Sequence, residues 1–241
     1  MSNVGIRRRA LLVFAKLPEP GKVKTRLIPA LGKDGACRLY QAFLKDSIIQ
    51  YTRLALEVGY TPYLFVTPSE AVSFFENSCD TLTSEIGTNN AWQVRLQSQG
   101  DLGARMKDAF AGLFAQNHDA CWIIGTDHPT LPDAYVVDAF RYLDQYDAVI
   151  GPADDGGYYG LGLQRRMDFL FEDIPWSTEQ VLSTTKLRMQ NNRVNYYPIK
   201  PWYDVDEPAD MYRLKRDLDK AGMRCNYTKQ WFEQHGMTYG R

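Results

Sequence analysis

The sequence predicts an α/β protein in which helices cover both faces of a mixed, mostly parallel central sheet. Short apolar runs recur at residues 11–15, 63–66, 121–125 and 148–151. They are continuously apolar, which is typical of strands buried on both faces. Helical segments separate them, and this alternation favours a Rossmann-like, three-layer α/β/α arrangement.

Three helices are expected between these strands. Apolar residues spaced by three and four positions from Ala36 to Val58 predict one long amphipathic helix. The same spacing predicts a helix at 102–113, and a third is expected at 132–144. The segment 67–100 is rich in Asn, Ser and Thr, so we expect mainly loops there, with a short strand at 94–97.

The second half of the chain extends the same sheet. Strands are expected at 158–163 and 195–199, weaker helices at 178–190 and 208–220, and a C-terminal helix after residue 221 that carries Trp231 and Phe232. No repeat, low-complexity tract or linker divides the chain, so we predict one domain over residues 1–241.

Composition excludes several classes of protein. The chain has 241 residues, of which 44% are hydrophobic, and its 28 Lys and Arg against 29 Asp and Glu leave a net charge of −1. This balance does not favour a nucleic-acid or anionic-membrane partner. No run approaches the roughly 20 apolar residues of a membrane span. The four cysteines show no C-x-x-C spacing, and we predict a cytoplasmic protein without disulfides.

A basic loop follows the first predicted strand, where ligands of open α/β sheets bind. Its cations can hold phosphates, its glycine allows close backbone approach, and its threonine offers a hydroxyl. The residues concerned are Lys16, Gly21, Lys22, Lys24, Thr25 and Arg26. The spacing is not that of a Walker A motif, and a solvated basic loop is the alternative interpretation.

Asp127 directly follows the strand at 121–125. A carboxylate there suits Mg²⁺, which takes one or two carboxylates and completes its shell with phosphates and water. The alternative is that Asp127 or Thr130 caps the next helix. His128, beside Pro129, is more typical of a structural histidine than of a ligand or base.

The loop after the strand at 148–151 carries Asp154 and Asp155 beside Gly156 and Gly157. Either carboxylate can orient or deprotonate an acceptor, and the glycines allow a ligand close to the backbone. Asp-Gly between apolar runs also indicates a hairpin turn, and the two interpretations are compatible.

Three further segments are candidates for the site. Asp206 is expected to cap a helix with Pro208 in its first turn, and Asp204 or Asp206 is a possible second carboxylate for the metal of Asp127. The segments 100–105 and 174–178 either line an acceptor pocket or cap helices. They contribute Arg105, Trp176, Ser177 and Thr178.

The order of these motifs resembles the DUF2064 family, a glycosyltransferase-like or transferase 1 family. The resemblance covers about residues 10–215. It rests on FAKLPEPGKVKTRL at 14–27, QGDLG at 99–103, IGTDHP at 124–129, GPADDGGYY at 151–159, IPWST at 174–178 and DVD at 204–206.

The resemblance implies the nucleotide-diphospho-sugar transferase fold, the GT-A arrangement shared by glycosyltransferases and nucleotidyltransferases. It implies that the basic loop binds the nucleotide and that Asp127 coordinates Mg²⁺ or Mn²⁺, and Arg105 is a further candidate for nucleotide binding. Asp206 matches the position of a second metal carboxylate in similar sugar nucleotidyltransferases. The chain departs from both subclasses, because it has Asp127-His128 instead of Asp-x-Asp and no Gly-Gly-rich opening loop.

The expected activity is metal-dependent transfer of a sugar from a nucleoside-diphosphate sugar to a small acceptor. Asp127, Asp155 and Asp154 are the candidate catalytic residues, and residues 156–157 and 176–178 the candidate acceptor site. The alternatives are nucleotidyl transfer from an NTP to a phosphorylated acceptor, with release of pyrophosphate, and a nucleotide-binding module without catalysis.

Overall fold

The structure is a computed structural model that describes residues 7–89, 91–220 and 222–236, and within these ranges seven strands form one sheet. They are β1 (Arg9–Lys16), β2 (Tyr60–Thr67), β3 (Gln93–Leu96), β4 (Ala120–Ile124), β5 (Ala148–Pro152), β6 (Tyr158–Leu163) and β7 (Tyr196–Pro198). The strand order across the sheet is β3-β2-β1-β4-β6-β5-β7.

Only β6 runs against its neighbours β4 and β5, whereas the other paired strands are parallel. The predicted mixed, mostly parallel sheet is therefore confirmed. The antiparallel β5 and β6 are joined by a tight turn, in which the Ala153 N–H donates to the Gly157 carbonyl at 3.0 Å. The hairpin interpretation of Asp-Gly is confirmed as well.

Helices cover both faces of the sheet. They are α1 (Ile28–Val58), α2 (Ala71–Glu85), α3 (Leu102–Ala115), α4 (Asp133–Leu143), α5 (Val181–Asn191), α6 (Asp210–Leu218) and α7 (Asn226–Gln234). Alternate residues of β1 enter two different cores: Leu11 packs with residues of α1, α2 and α4, whereas Leu12 packs with residues of α3 and α5. Both leucines are fully buried, and each such burial contributes about 2 kcal/mol. The three-layer prediction is confirmed.

The long helix begins earlier than the sequence pattern indicates. It starts at Ile28, not Ala36, and non-helical backbone at Gly32 (φ 68°, ψ 168°) separates its first residues from the rest. Gly59, in the left-handed region at φ 76°, ends it, as is common for a glycine after a helix. The predicted helices at 102–113, 132–144, 178–190 and 208–220 are confirmed within a few residues, as is the C-terminal helix.

The expectation of loops is wrong for residues 71–85, which form α2. Ser and Thr weaken helices because their hydroxyls compete for backbone partners. Here that competition is satisfied inside the helix, since the Ser78 and Thr83 hydroxyls donate to carbonyls four residues earlier. Phe75 and Cys79 lie on one face and are fully buried, and this tertiary packing outweighs weak helix propensity. The short strand expected at 94–97 is β3.

Two further features concern the described residues as a whole. None of the helices there is both long and apolar enough to cross a bilayer. The four cysteines are buried free thiols, as their spacing predicts.

Candidate functional site

A cleft of about 450 Å³ opens at the carboxyl ends of β1 and β4. Its volume is within the range of small-molecule sites, and its position is the one expected for a ligand of an open α/β sheet. The residues predicted for the site that line it are Lys16, Lys22, Lys24, Thr25, Arg26, Arg105, Asp127 and Asp206. The topology thus brings the basic loop, the strand-end aspartate and the later acidic segment together.

At the centre of the cleft, Lys24 lies between two carboxylates. Its Nζ is 2.5 Å from Oδ1 of Asp127 and 2.9 Å from Oδ1 of Asp206. The Lys24 side chain is only 3% exposed, whereas each aspartate keeps 43% of its side-chain surface open. The two carboxylates therefore share one cation and remain reachable from the cleft.

Burial and charge oppose each other in this group. Burial alone would lower the pKa of Lys24, but the nearby carboxylates of Asp127 and Asp206 outweigh it and raise the pKa. Burial would raise the pKa of Asp127, yet the Lys24 ammonium holds it below its usual value. The pKa of Asp206 is raised by burial and by the charge of Asp127, despite Lys24. Lys24 thus stays protonated and Asp127 stays ionised.

The backbone of Lys24 adopts a conformation that L-residues rarely take. Its φ of 46° and ψ of 45° lie in the left-handed region, at the start of the 3₁₀ turn at Thr25–Leu27. The Leu27 N–H donates to the Lys24 carbonyl at 3.0 Å and holds this turn closed. A left-handed lysine costs about 1–2 kcal/mol, and strain of this kind clusters at ligand sites.

Tyr40 of α1 ties the ends of the two strands that carry the cleft. Its hydroxyl accepts from the Lys16 N–H at 3.0 Å and from the Thr126 hydroxyl at 3.3 Å. Burial, together with the charge of Asp127, raises the pKa of Tyr40 to about 12. Tyr40 lies within the helix predicted from Ala36 to Val58, but a pattern of apolar spacing carries no information on the partners of a hydroxyl group.

Gln97, directly after β3, is a second cleft residue that the sequence analysis missed. Its Nε2 donates to the carbonyls of Phe65 at 2.8 Å and Ala15 at 3.2 Å. Both partners only accept, so the amide group has a fixed orientation. Gln97 thereby holds the ends of β1 and β2 together beneath the cleft.

The segment 204–206 reaches Asp127 through the backbone. The Val205 N–H donates to the Asp127 carbonyl at 2.7 Å, which places Asp204 and Asp206 beside the end of β4. Oδ1 of Asp204 lies 3.3 Å from Nδ1 of His128, whose ring is buried. Nε2 of His128 is also buried and has no hydrogen-bond partner among the described residues.

The capping role expected for Asp206 is wrong. Its side chain pairs with Lys24, while Oδ2 of Asp210 accepts from the N–H groups of Asp206 and Glu207. Helix α6 begins at Asp210, after the predicted start. Asp127 likewise pairs with Lys24 and does not cap α4, which follows Pro132. Both carboxylates are therefore available to a ligand in the cleft.

Asp154 and Asp155 lie outside the lining of this cleft. Oδ2 of Asp154 is 2.6 Å from Nη1 of Arg213, on the protein surface. Oδ1 of Asp155 accepts from the Gly157 N–H at 2.8 Å, within the β5–β6 turn. Both carboxylates thus have partners close by.

The residues predicted for the acceptor and Gly21 also lie outside the lining. Trp176 packs against Gly103 at the start of α3, where a Cβ on the glycine would clash with Nε1 of the indole and lie 2.6 Å from its Cε2. The Thr178 hydroxyl donates to the Pro175 carbonyl at 2.8 Å, and Ser177 has φ 65°. Gly156 packs against the backbone of Glu179.

The amino-acid sequence identifies the family to which the chain belongs. The model of the family described as "Uncharacterized protein conserved in bacteria (DUF2064)" matches residues 51–178, just over half of the chain. This chain belongs to the DUF2064 family. The match includes Asp127 and the loop after β5.

Solved structures agree with this assignment. The DUF2064 chain is 30% identical to a "putative nucleotide-diphospho-sugar transferase" from Desulfovibrio desulfuricans G20, with 96% of each chain covered and a TM-score of 0.82. The fold is thus that of the nucleotide-diphospho-sugar transferases, and the chain is a transferase.

More distant structures show the fold alone. One is 4-diphosphocytidyl-2C-methyl-D-erythritol synthase from Anaerococcus prevotii DSM 20548, which is 8% identical over 89% of this chain and 97% of that one, with a TM-score of 0.58. Another is a cytidylyltransferase from Leptospira borgpetersenii, 13% identical over 96% of each chain, with a TM-score of 0.51. Among curated proteins, none matches the chain.

The two cleft carboxylates fit a divalent cation. Asp127 and Asp206 both reach within 3 Å of one point, and carboxylate oxygens are ligands that Mg²⁺ prefers. In the part of the chain that the structure describes, no group of three or more His, Cys, Asp or Glu side chains forms a metal cage. The donor set therefore suits an ion that keeps water and takes further oxygens from phosphates.

Proposed function

We propose that this DUF2064 protein transfers a sugar from a nucleoside-diphosphate sugar to a small acceptor, with Mg²⁺ or Mn²⁺ held by Asp127 and Asp206. The observation that carries the proposal is the convergence of these two carboxylates on one point in the cleft. Four further cations line the same cleft, namely Lys16, Lys22, Arg26 and Arg105. This combination matches a diphosphate bound together with a divalent cation. The 30% identity to a nucleotide-diphospho-sugar transferase supports the sugar as the transferred group.

The cations of the cleft would act on the leaving group. An acceptor hydroxyl attacks the anomeric carbon, the bond from this carbon to the diphosphate oxygen breaks, and the hydroxyl proton is released to water. The departing diphosphate carries the growing negative charge, which Lys16, Lys22 and Arg26 stabilise from the loop. A bound divalent ion would supply Lewis-acid charge at the same oxygens. Tyr40 and Gln97 keep the strand ends that carry these groups in place.

The acceptor end of the cleft would lie at Tyr158 and Gly160 of β6. Residues 156–157 and 176–178 lie outside the lining, and Trp176 packs against Gly103 at the start of α3. We assign Asp154 and Asp155 to the β5–β6 turn in this arrangement, because their carboxylates already have partners there.

Nucleotidyl transfer is the second candidate. Asp127 and Asp206 come from separate elements, not from a single Asp-x-Asp, and this arrangement resembles that of sugar nucleotidyltransferases. In this reaction an acceptor phosphate attacks the α-phosphate of an NTP, and pyrophosphate leaves in line. The same cations would serve the departing pyrophosphate.

A stability panel separates the candidates. Thermal unfolding is measured with NTPs, NDPs and NDP-sugars, with and without Mg²⁺ or Mn²⁺, because a ligand at 100 times its Kd stabilises by about 2.7 kcal/mol. We expect a metal-dependent shift that is largest for one NDP-sugar. A larger shift with an NTP would favour nucleotidyl transfer, and no shift with any nucleotide would contradict both. Product analysis with the preferred donor then distinguishes a released NDP from pyrophosphate.

A further inference from the structure

Lys24 occupies the place that a divalent cation would take. Its ammonium is within 2.9 Å of the same two carboxylate oxygens that are suited to the metal. Mg²⁺ requires oxygen ligands at about 2.0–2.1 Å, so an ion bound by both carboxylates would lie close to the present position of Nζ. The two cations would repel each other strongly at such a separation. Ammonium and metal therefore exclude one another.

We propose that Lys24 competes internally with the divalent cation, and that nucleotide phosphates draw Lys24 away, so that metal and nucleotide bind cooperatively. This inference rests on the proposed function, since it concerns the same site. It adds that the free protein binds metal weakly, and that the nucleotide prepares the metal site by giving Lys24 another anionic partner.

The charges of the cleft support an exchange of partners. Without ligand, one ammonium faces two carboxylates, which leaves one negative charge unbalanced. With a divalent ion in its place, the two carboxylates are balanced, and Lys24 is free to pair with a phosphate. Such a phosphate would be near, because Lys24 lines the cleft in the same loop as Lys22 and Arg26.

The geometry of the loop favours movement of the side chain alone. The backbone of Lys24 is fixed in its left-handed conformation by the 3₁₀ turn that follows. Its flexible four-carbon stem lets the ammonium change partners while the backbone stays in place. Backbone strain is often found at ligand sites, which agrees with a functional role for the position of the Lys24 ammonium.

Mn²⁺ alone is the probe for the test. Free and bound Mn²⁺ are measured by electron paramagnetic resonance for the full chain and for Lys24→Met and Lys24→Gln, without nucleotide. We expect both variants to bind Mn²⁺ at least about tenfold more tightly than the wild type, a difference of about 1.4 kcal/mol. Couplings between sites commonly lie between about 5- and 150-fold. The Lys24→Gln variant keeps N–H donors for the two carboxylates, so it still tests the proposal if Lys24→Met does not fold.

Two matched variants serve as controls. Lys22→Met removes a charge from the same loop without touching the pair, since Lys22 bonds to Glu19, and it should leave Mn²⁺ affinity within about twofold. Lys24→Arg keeps the cation and should bind Mn²⁺ as weakly as the wild type.

The outcomes separate the inference from the proposed function. If the wild type binds Mn²⁺ as tightly as Lys24→Met, the competition is refuted and the proposed metal site stands. If no variant binds Mn²⁺ while nucleotides without metal still stabilise the protein, Lys24 replaces the metal. That result overturns both the inference and the metal dependence of the proposed reaction. If neither Mn²⁺ nor nucleotide binds, the proposed function itself fails.

Discussion

Two acidic pairs lie at the same edge of the sheet and are held in different ways. Asp127 and Asp206, 79 positions apart in sequence, share the ammonium of Lys24 in the cleft. Asp154 and Asp155 are neighbours in the β5–β6 turn, where one pairs with Arg213 and the other accepts from the Gly157 N–H. The first pair shares one buried lysine ammonium, whereas the second is satisfied by a surface arginine and by its own turn.

The difference shows how a ligand site can be told from a structural turn. Asp127, Asp154 and Asp155 each follow a buried strand, so their sequence contexts look alike, whereas Asp206 lies in a loop well after the short strand β7. A carboxylate that accepts from its own turn has little capacity left for a ligand. A carboxylate whose partner is a flexible lysine side chain can exchange that partner for another cation. Variants of the two pairs should therefore behave differently.

The largest effect is expected from Asp127→Asn, measured as kcat/KM with the donor that the stability panel selects. The amide removes one negative charge from the cation site, and loss of one electrostatic group at a reacting centre typically costs about 10²- to 10³-fold. Asp154→Asn is the matched control. It disturbs only a surface pair with Arg213, which contributes at most about 1 kcal/mol, so activity should change little.

Equal losses of kcat/KM in these two variants would contradict this difference and would make Asp154 a candidate catalytic residue. Urea unfolding of both variants shows whether a loss of activity comes from a loss of folding. Full activity of Asp127→Asn would remove the metal hypothesis.

The contrast also shows what the sequence can and cannot predict. The strand-end rule places the basic loop and Asp127 at one edge of the sheet from local pattern alone. The approach of Asp206 to Lys24 joins residues 182 positions apart, and it depends on the backbone bond from Val205 to Asp127. Helix capping for Asp206 is locally reasonable, but its side chain pairs with Lys24, and Asp210 at the start of α6 accepts from the N–H groups of Asp206 and Glu207. Tertiary contacts of this kind leave no periodic signal in sequence.

The second prediction concerns the backbone of the turn. Gly156 has φ 87°, and a Cβ there would lie 2.7 Å from Cα of Glu179. We expect Gly156→Ala to lower the free energy of unfolding by about 2–4 kcal/mol, because the cost of an alanine in the left-handed region adds to the cost of the backbone clash. Gly112→Ala is the control, because it lies in α3 with open space around it and should stabilise by up to about 1 kcal/mol.

Urea denaturation of both glycine variants gives the two values. A Gly156→Ala protein as stable as the wild type would show that the turn yields easily, and the fixed positions of Asp154 and Asp155 would lose their basis.

The smallest expected effect concerns the pKa of Asp46, a buried carboxylate that can be compared with Asp127. Asp46 of α1 is also buried, and its carboxylate accepts from the N–H groups of Tyr227 and Thr228 and from the Thr228 hydroxyl, with the Lys229 charge as a weaker influence. Burial outweighs these bonds and raises the pKa of Asp46 to about 6, whereas the ammonium lowers that of Asp127. The folded protein therefore binds an extra proton between about pH 4 and 6, and the Asp46 contribution to stability falls as pH rises through this window.

Asp46→Asn removes that titration while keeping an acceptor oxygen for the start of α7. From pH 5 to pH 7, we expect the wild type to lose about 1 kcal/mol of unfolding free energy relative to Asp46→Asn. Urea titrations of both proteins at the two pH values measure it, and all other titrating groups cancel in the difference. A pH-independent difference would mean that the hydrogen bonds from residues 227 and 228, together with the Lys229 charge, suffice to keep the buried Asp46 carboxylate ionised.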